Sequence, residues 1–318
     1  MKQKTFEQLH QPTWDKIEQA LKAPREANNS SVLSDNYMLL CQHLALAKQR
    51  MYSNTLIERL NKLVLSVYRE IYRYQRTSRF NFFAFFLKNF PLAIYQHRNF
   101  VWLSLFLFLV PGLISGLWIY LDEFAIYSVI DGPDVRSVEK MYDPAAEVFG
   151  RERESDTDIF MFGFYIKNNI SIAFNCFAGG LVGGIVTVLV LIFNGLHIGS
   201  IAGHLTRLEY FDTFYPFVIT HGSFELTAIV FSGAAGLKLG YSILNPGAFS
   251  RLTALKLAGR ESVTMVYGIF LMLVIAAFIE AFWSSSSSIP NMVKYSVGAF
   301  CWLLVILYSF SGRRFGSQ

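Results

Sequence analysis

Charge is what this sequence has least of. Only 16% of its 318 residues are Asp, Glu, Lys or Arg, where a soluble domain carries roughly 25%. The deficit argues against a soluble globular chain, and a content of 53% hydrophobic and 16% aromatic residues, thirty of them Phe, points to lipid. Cysteine is scarce too. Cys41, Cys176 and Cys301 lie far apart, form neither C-x-x-C nor a disulfide framework, and read as small core residues. The opening stretch MKQKTFEQLHQPTWDK has no apolar h-region. No cleavable signal peptide is therefore expected, and the first long apolar segment is expected to act as the membrane signal. No G-x-S-x-G supports serine hydrolase chemistry.

Charge of one sign is missing locally as well. Residues 1–98 hold 15 Lys/Arg against 7 Asp/Glu, residues 121–160 hold 4 against 11, and residues 161–318 hold 9 against 5. A basic block before the first span and an acidic loop after it predict a cytoplasmic N-terminus. A nucleic-acid binder fits poorly, because the basic residues interleave with apolar stripes beside a span. No nucleic-acid partner is expected.

Residues 1–78 read as a cytoplasmic helical domain. Phe6, Leu9, Ile17 and Leu21 recur at helical spacing, and Asn28–Ser31 looks like a loop. Ser34 is placed to cap a second helix. Thr55 with Glu58 forms a capping-box pattern for a third, striped by Leu56, Leu60, Leu63, Val67 and Ile71. Residues 79–100 are Phe-rich, flanked by Arg79, Lys88 and Arg98 and interrupted by Pro91, which predicts an interfacial elbow helix.

The remainder, 101–318, reads as the transmembrane domain. Spans are predicted at about 101–120, 170–193, 213–243, 263–283 and 293–310, with the acidic loop 121–160 outside. In the second span Gly179, Gly180, Gly183 and Gly184 make a doubled small-xxx-small pattern suited to helix packing and pointing to a homodimer. The stretch after Asn194-Gly195 is more polar and suits a cytoplasmic connection. Lys238, Arg251, Lys256 and Arg260, like Arg313-Arg314, belong in the cytoplasm by the charge rule, yet five simple crossings put them outside. Either 213–243 is a re-entrant hairpin, broken near its glycines, or the charge bias is simply poor. The fold class is thus all-α and polytopic, with about five membrane segments, one of them a candidate re-entrant element.

One stretch stands out: ITHGSFELTAIVFSGAAGLKLG carries His221 and Glu225 within an apolar run. At i, i+4 the pair shares a helix face, and ionisable groups at membrane depth are expensive enough to suggest a functional site. They serve equally as a buried bond locking two helices. HGSFE is not H-E-x-x-H, and His197 and His204 join it through no ligand motif, so no metal, cofactor or catalytic residue is assigned. Asn168, Asn169 and Asn194 complete the candidate polar framework. Glu280, near the end of its span, reads as reaching the outer interface.

GFYIKNNISIAFNCFAGGLVGGIVTVLVLIFNGLHIGSIAGHL, THGSFELTAIVFSGAAGLKLGYSILNPG and RLTALKLAGR together resemble the stage II sporulation protein M family. The resemblance implies an integral inner-membrane protein without an agreed catalytic residue. It also implies partners: peptidoglycan-degrading enzymes held at a septum, or MoxR-type AAA ATPases encoded beside many relatives. The basic N-terminal extension and the acidic loop depart from the sporulation protein. The expected role is a scaffold or assembly factor in the bilayer. The alternative is a transporter or lipid-translocating protein using the His–Glu site.

Overall fold

The computed structural model describes residues 2–22, 27–76, 81–145, 158–286 and 288–316. The chain separates into two compact units, Met1–Asn81 and Phe82–Gln318. Among the described residues both units are helical throughout.

The first unit is three helices: α1 (Gln3–Lys22), α2 (Ala27–Gln49) and α3 (Asn54–Arg76). Their apolar stripes meet in a core of Phe6, Trp14, Ile17, Leu33, Leu40, Leu44, Leu56, Leu60, Leu63 and Val67. Leu9, expected on the stripe, is instead 63% exposed, and the side chain of Ile71 lies outside the described residues. Asn28–Ser31 and Ser34 lie within α2 rather than in a loop and a cap. The Thr55 hydroxyl turns back to Ser53 Oγ at 3.3 Å. At the centre, Trp14 Nε1 donates to His43 Nδ1 at 3.1 Å. Arg59 ties α3 to α1 through Glu18 at 3.0 Å and Gln11 at 3.0 Å.

The second unit begins with the predicted elbow: a short α4 (Phe82–Ala84), a π-helical turn Phe85–Asn89, and α5 (Phe90–Gln96) with Pro91 in its first turn. The carbonyl of Phe86, five residues before this proline, accepts instead from Tyr308 Oη at 2.8 Å. The membrane helices follow: α6 (Arg98–Leu121), a short α7 (Gly132–Tyr142) in the acidic loop, α8 (Asp158–Ala178), α9 (Ile185–Arg207), α10 (Phe211–Leu244), α11 (Arg251–Phe278) and α12 (Asn291–Ser311). A π-helical turn, Ile279–Ser284, extends α11. Residues 146–157 of the acidic loop lie outside the described residues.

Five of these helices, α6, α9, α10, α11 and α12, are long and apolar enough to cross a membrane. In α10 67% of the most apolar window is buried, against 17% in α6 and in α12, which makes α10 the central element. Its 34 residues span about 51 Å at 1.5 Å per residue. It is one unbroken helix, so the re-entrant hairpin is not formed. Gly222, Gly233, Gly236 and Gly240 do not turn the chain, and at the last three a side chain would collide with Ser104 and Leu191, with Cys176 and Thr187, or with Gly183 and Gly184.

The break comes earlier. The predicted second span, 170–193, is two helices joined at Gly179–Gly184. Gly183 and Gly184 have φ of 66° and 85°, a region costly for any residue with a Cβ, so the chain reverses. Gly180 and Gly184 pack against Gly236 and Gly240 of α10. The glycine pattern thus serves a turn and contacts within one chain. The polar stretch read as a connection is the second half of α9. Gly195, Gly199 and Gly203 lie there against the carbonyls of Phe108, Gly112 and Gly116, which sets α6 and α9 parallel.

These contacts give each helix a direction. α6, α9 and α11 run from the elbow toward the acidic loop, and α8, α10 and α12 return. Arg207 binds Glu123 at 2.8 Å and His204 binds Glu139 at 2.8 Å at the loop end. At the elbow end Lys238 meets His97 at 3.0 Å and pairs with Glu261, while Gly312 packs on Pro91. With α8 counted, residues 245–250 and Arg313-Arg314 return to the elbow face, and the charge conflict disappears without re-entry.

Candidate functional site

His221 and Glu225 lie one turn apart in α10, roughly 15–21 Å from its loop end at 1.5 Å per residue. Packing brings a third group to them. Glu280 sits on the π-helical turn that extends α11. Its carboxylate, that of Glu225 and a ring nitrogen of His221 all lie within 4.8 Å of one another. Glu280 therefore does not reach the outer interface as its sequence position suggests. A π turn carries an extra residue within one helical turn and so re-aims the side chains around it, a device common at functional sites.

The surroundings are ordered. His221 is 5% exposed. Its Nδ1 shares a 3.0 Å hydrogen bond with Ser284 Oγ, and its ring packs edge-on against Phe217 at 5.4 Å. The Ser284 carbonyl accepts from the buried Lys294 Nζ at 2.8 Å, and Thr220 Oγ1 donates to the Lys294 carbonyl at 3.4 Å. A cavity of about 40 Å³ lies at the loop end between α10, α12 and the serine tract. Phe217, Ser284 and Lys294 are among its walls. That volume admits water.

The asparagines divide. Asn169 of α8 is 2% exposed and stands beside the Glu225 carboxylate. Its Nδ2 makes no hydrogen bond of acceptable geometry, and its Oδ1 accepts from Asn168 Nδ2 at 3.0 Å. Asn168 is exposed and reaches the site only through this bond. Asn194 is elsewhere, bonding the Val190 carbonyl one turn back at 2.8 Å. His197 stacks on Phe193 and His204 pairs with Glu139, so neither joins the cluster. The sequence reading missed Glu280, Ser284 and Lys294. The signal for the first and last was available, as isolated charges in apolar segments, but their convergence on His221 was not.

Chemically, an imidazole facing two carboxylates can hold and pass protons or ligate a cation. The His221–Ser284 bond joins α10 to the π turn that extends α11, and Asn169 of α8 stands beside Glu225.

The comparisons with known proteins follow the same boundaries. Residues 104–285, more than half of the chain, match the model of the family described as Stage II sporulation protein M. Residues 4–73 match a domain of unknown function, DUF8413. Over 85 residues the chain is 32% identical to the uncharacterized protein MJ0793 of Methanocaldococcus jannaschii, a stretch covering 26% of this chain and 48% of that protein. The chain thus spans about half the length of this curated relative. No solved structure matches. The membrane bundle, with its His221–Glu225–Glu280 centre, lies largely within the matched segment, and the chain belongs to the Stage II sporulation protein M family.

Proposed function

We propose that this protein is an integral inner-membrane scaffold or assembly factor that holds its N-terminal helical unit in the cytoplasm. The observation that carries this reading is the division of the chain into a membrane bundle and a separate compact unit with its own buried core. A docking protein needs such a unit. Glycine contacts at backbone distance along α6–α9 and α8–α10 favour a stiff membrane body over one that rocks open. By family resemblance the partners are peptidoglycan-remodelling enzymes or a MoxR-type ATPase. The family is not a known class of enzymes, and the chain is read as non-catalytic.

Affinity purification of the full chain from native membranes in gentle detergent, with mass spectrometry of what accompanies it, tests the reading. A stoichiometric envelope enzyme or ATPase is the expected result, retained in a Glu225→Gln variant. If the folded protein came down alone in its native oligomer, the scaffold reading would fail. A transporter or lipid-translocating role would then lead, favoured by the polar centre inside the bundle. Substrate flux in proteoliposomes, lost in Glu225→Gln, would support it.

A further inference from the structure

We propose that His221, Glu225 and Glu280 form a binding site for a divalent transition-metal cation within the membrane bundle. The donor set is one imidazole and two carboxylates, on two helices, mutually within 4.8 Å. Around a four-coordinate zinc ion such donors lie about 2.0–2.2 Å from the metal, hence ~3.4 Å apart. Closing the set requires side-chain movements on the order of 1 Å, which rotamer adjustment supplies.

The groups behind the donors have the arrangement a metal site needs. A ligating histidine commonly uses one ring nitrogen on the metal and fixes the other through a hydrogen bond. His221 Nδ1 is engaged by Ser284 Oγ, which leaves Nε2 as the nitrogen for the ion. Ser284 is held in turn by Lys294 through its carbonyl. Asn169 supplies an independent observation. Its amide is 2% exposed and faces the Glu225 carboxylate without forming a well-aligned hydrogen bond to it. A buried donor held off good geometry is unfavourable, whereas a carboxylate drawn onto a metal, or a metal-bound water, gives that donor a well-aligned acceptor.

Charge points the same way. Two ionised carboxylates at membrane depth are costly, and a dication balances them without asking either to protonate. Glu225 and Glu280 retain partial accessibility. The cavity at the loop end reaches Ser284, the residue bonded to His221, and so brings water up to the residue behind the imidazole. Imidazole with carboxylates suits zinc, manganese or iron better than calcium. The site lies apart from the scaffold reading, because uptake is measured on the purified chain without any partner.

The test uses tag-free full-length protein in mild detergent, stripped with a chelator, loaded with Zn²⁺ or Co²⁺ and desalted. Elemental analysis is expected to find about one Zn²⁺ per wild-type chain, and the Co²⁺ form to show visible ligand-field absorption. Glu280→Gln is expected to abolish both signals, and Ser284→Ala to weaken affinity by about 10–100-fold. His197→Gln, outside the cluster, should bind as wild type does. A monodisperse wild-type protein that retains no metal would overturn the assignment and leave the three groups sharing protons. Unchanged binding in Glu280→Gln would overturn it equally. The wild-type measurement decides even where a variant fails to fold.

Discussion

At the scale of single residues, burial determines which state a polar group keeps. His43 accepts a hydrogen bond from Trp14 through Nδ1 and packs, tilted by 37°, against His10 with ring centroids 3.9 Å apart. Protonating Nδ1 destroys that acceptor. Burial, and after it the neighbouring His10, pushes the His43 pKa down from 6.5 to about 4. The unfolded chain therefore binds the additional proton between pH 6.5 and 4 and the folded chain does not. Stability of the first unit is fully held above pH 6.5 and declines as pH falls through that window. Hydrogen–deuterium exchange of the full chain should show faster exchange in α1–α3 at pH 5 than at pH 7, after correction for intrinsic rates. The His43→Gln variant should flatten the difference, and an unchanged difference would refute the account. Sequence gave no hint of this pair, since His43 and Trp14 stand 29 positions apart and only the folded core joins them.

At the scale of elements, small residues decide which helices pair. Gly195 and Gly112 face each other across α6 and α9 but are not equivalent. A Cβ on Gly195 would run into the Phe108 carbonyl, while one on Gly112 would stop 3.0 Å from the Gly195 carbonyl. Backbone cannot swing aside as a side chain can. Gly195→Ala is expected to destabilise the bundle by roughly 1–3 kcal/mol, the usual cost of overpacking, and Gly112→Ala by clearly less. Unfolding midpoints in detergent would show this, and equal midpoints would contradict the asymmetry. Hydroxyls supplement the glycines: Ser104 bonds the Val230 carbonyl at 2.7 Å and Thr187 the Cys176 carbonyl at 2.7 Å. Such bonds between helices are worth only about 0.6 kcal/mol on average in membranes, so the close approach itself is the larger contribution. The existence of helical membrane segments was legible in their hydrophobicity. The reversal at Gly179–Gly184 was misread because small-xxx-small spacing describes a packing face and a cluster of turn glycines alike.

At the scale of the whole molecule, the direction of each helix follows from these contacts and yields a topology. The elbow, residues 245–250 and Arg313-Arg314 share one face, and Asp131 lies at the other. In a cysteine-free background, a cysteine at Asp131 should react with an impermeant thiol reagent from outside intact cells. One at Ser250 should react only after permeabilisation, given a cytoplasmic elbow. External labelling at both positions would require an even number of crossings between them, not the three of α8, α9 and α10, and would sink the arrangement.

Composition and charge order alone determined that the chain is helical, embedded in lipid and basic at the face opposite its acidic loop. Transfer of apolar side chains and the bias of Lys and Arg act on local sequence and need no tertiary partner. The same locality made His221 and Glu225 visible, four residues apart on one face. Only tertiary structure decided that α10 runs unbroken, that the chain reverses at Gly183-Gly184, and that Glu280 completes the polar centre. Each of those depends on groups far apart in sequence meeting at backbone distance, where a missing Cβ or a π turn, rather than hydrophobicity, sets the outcome.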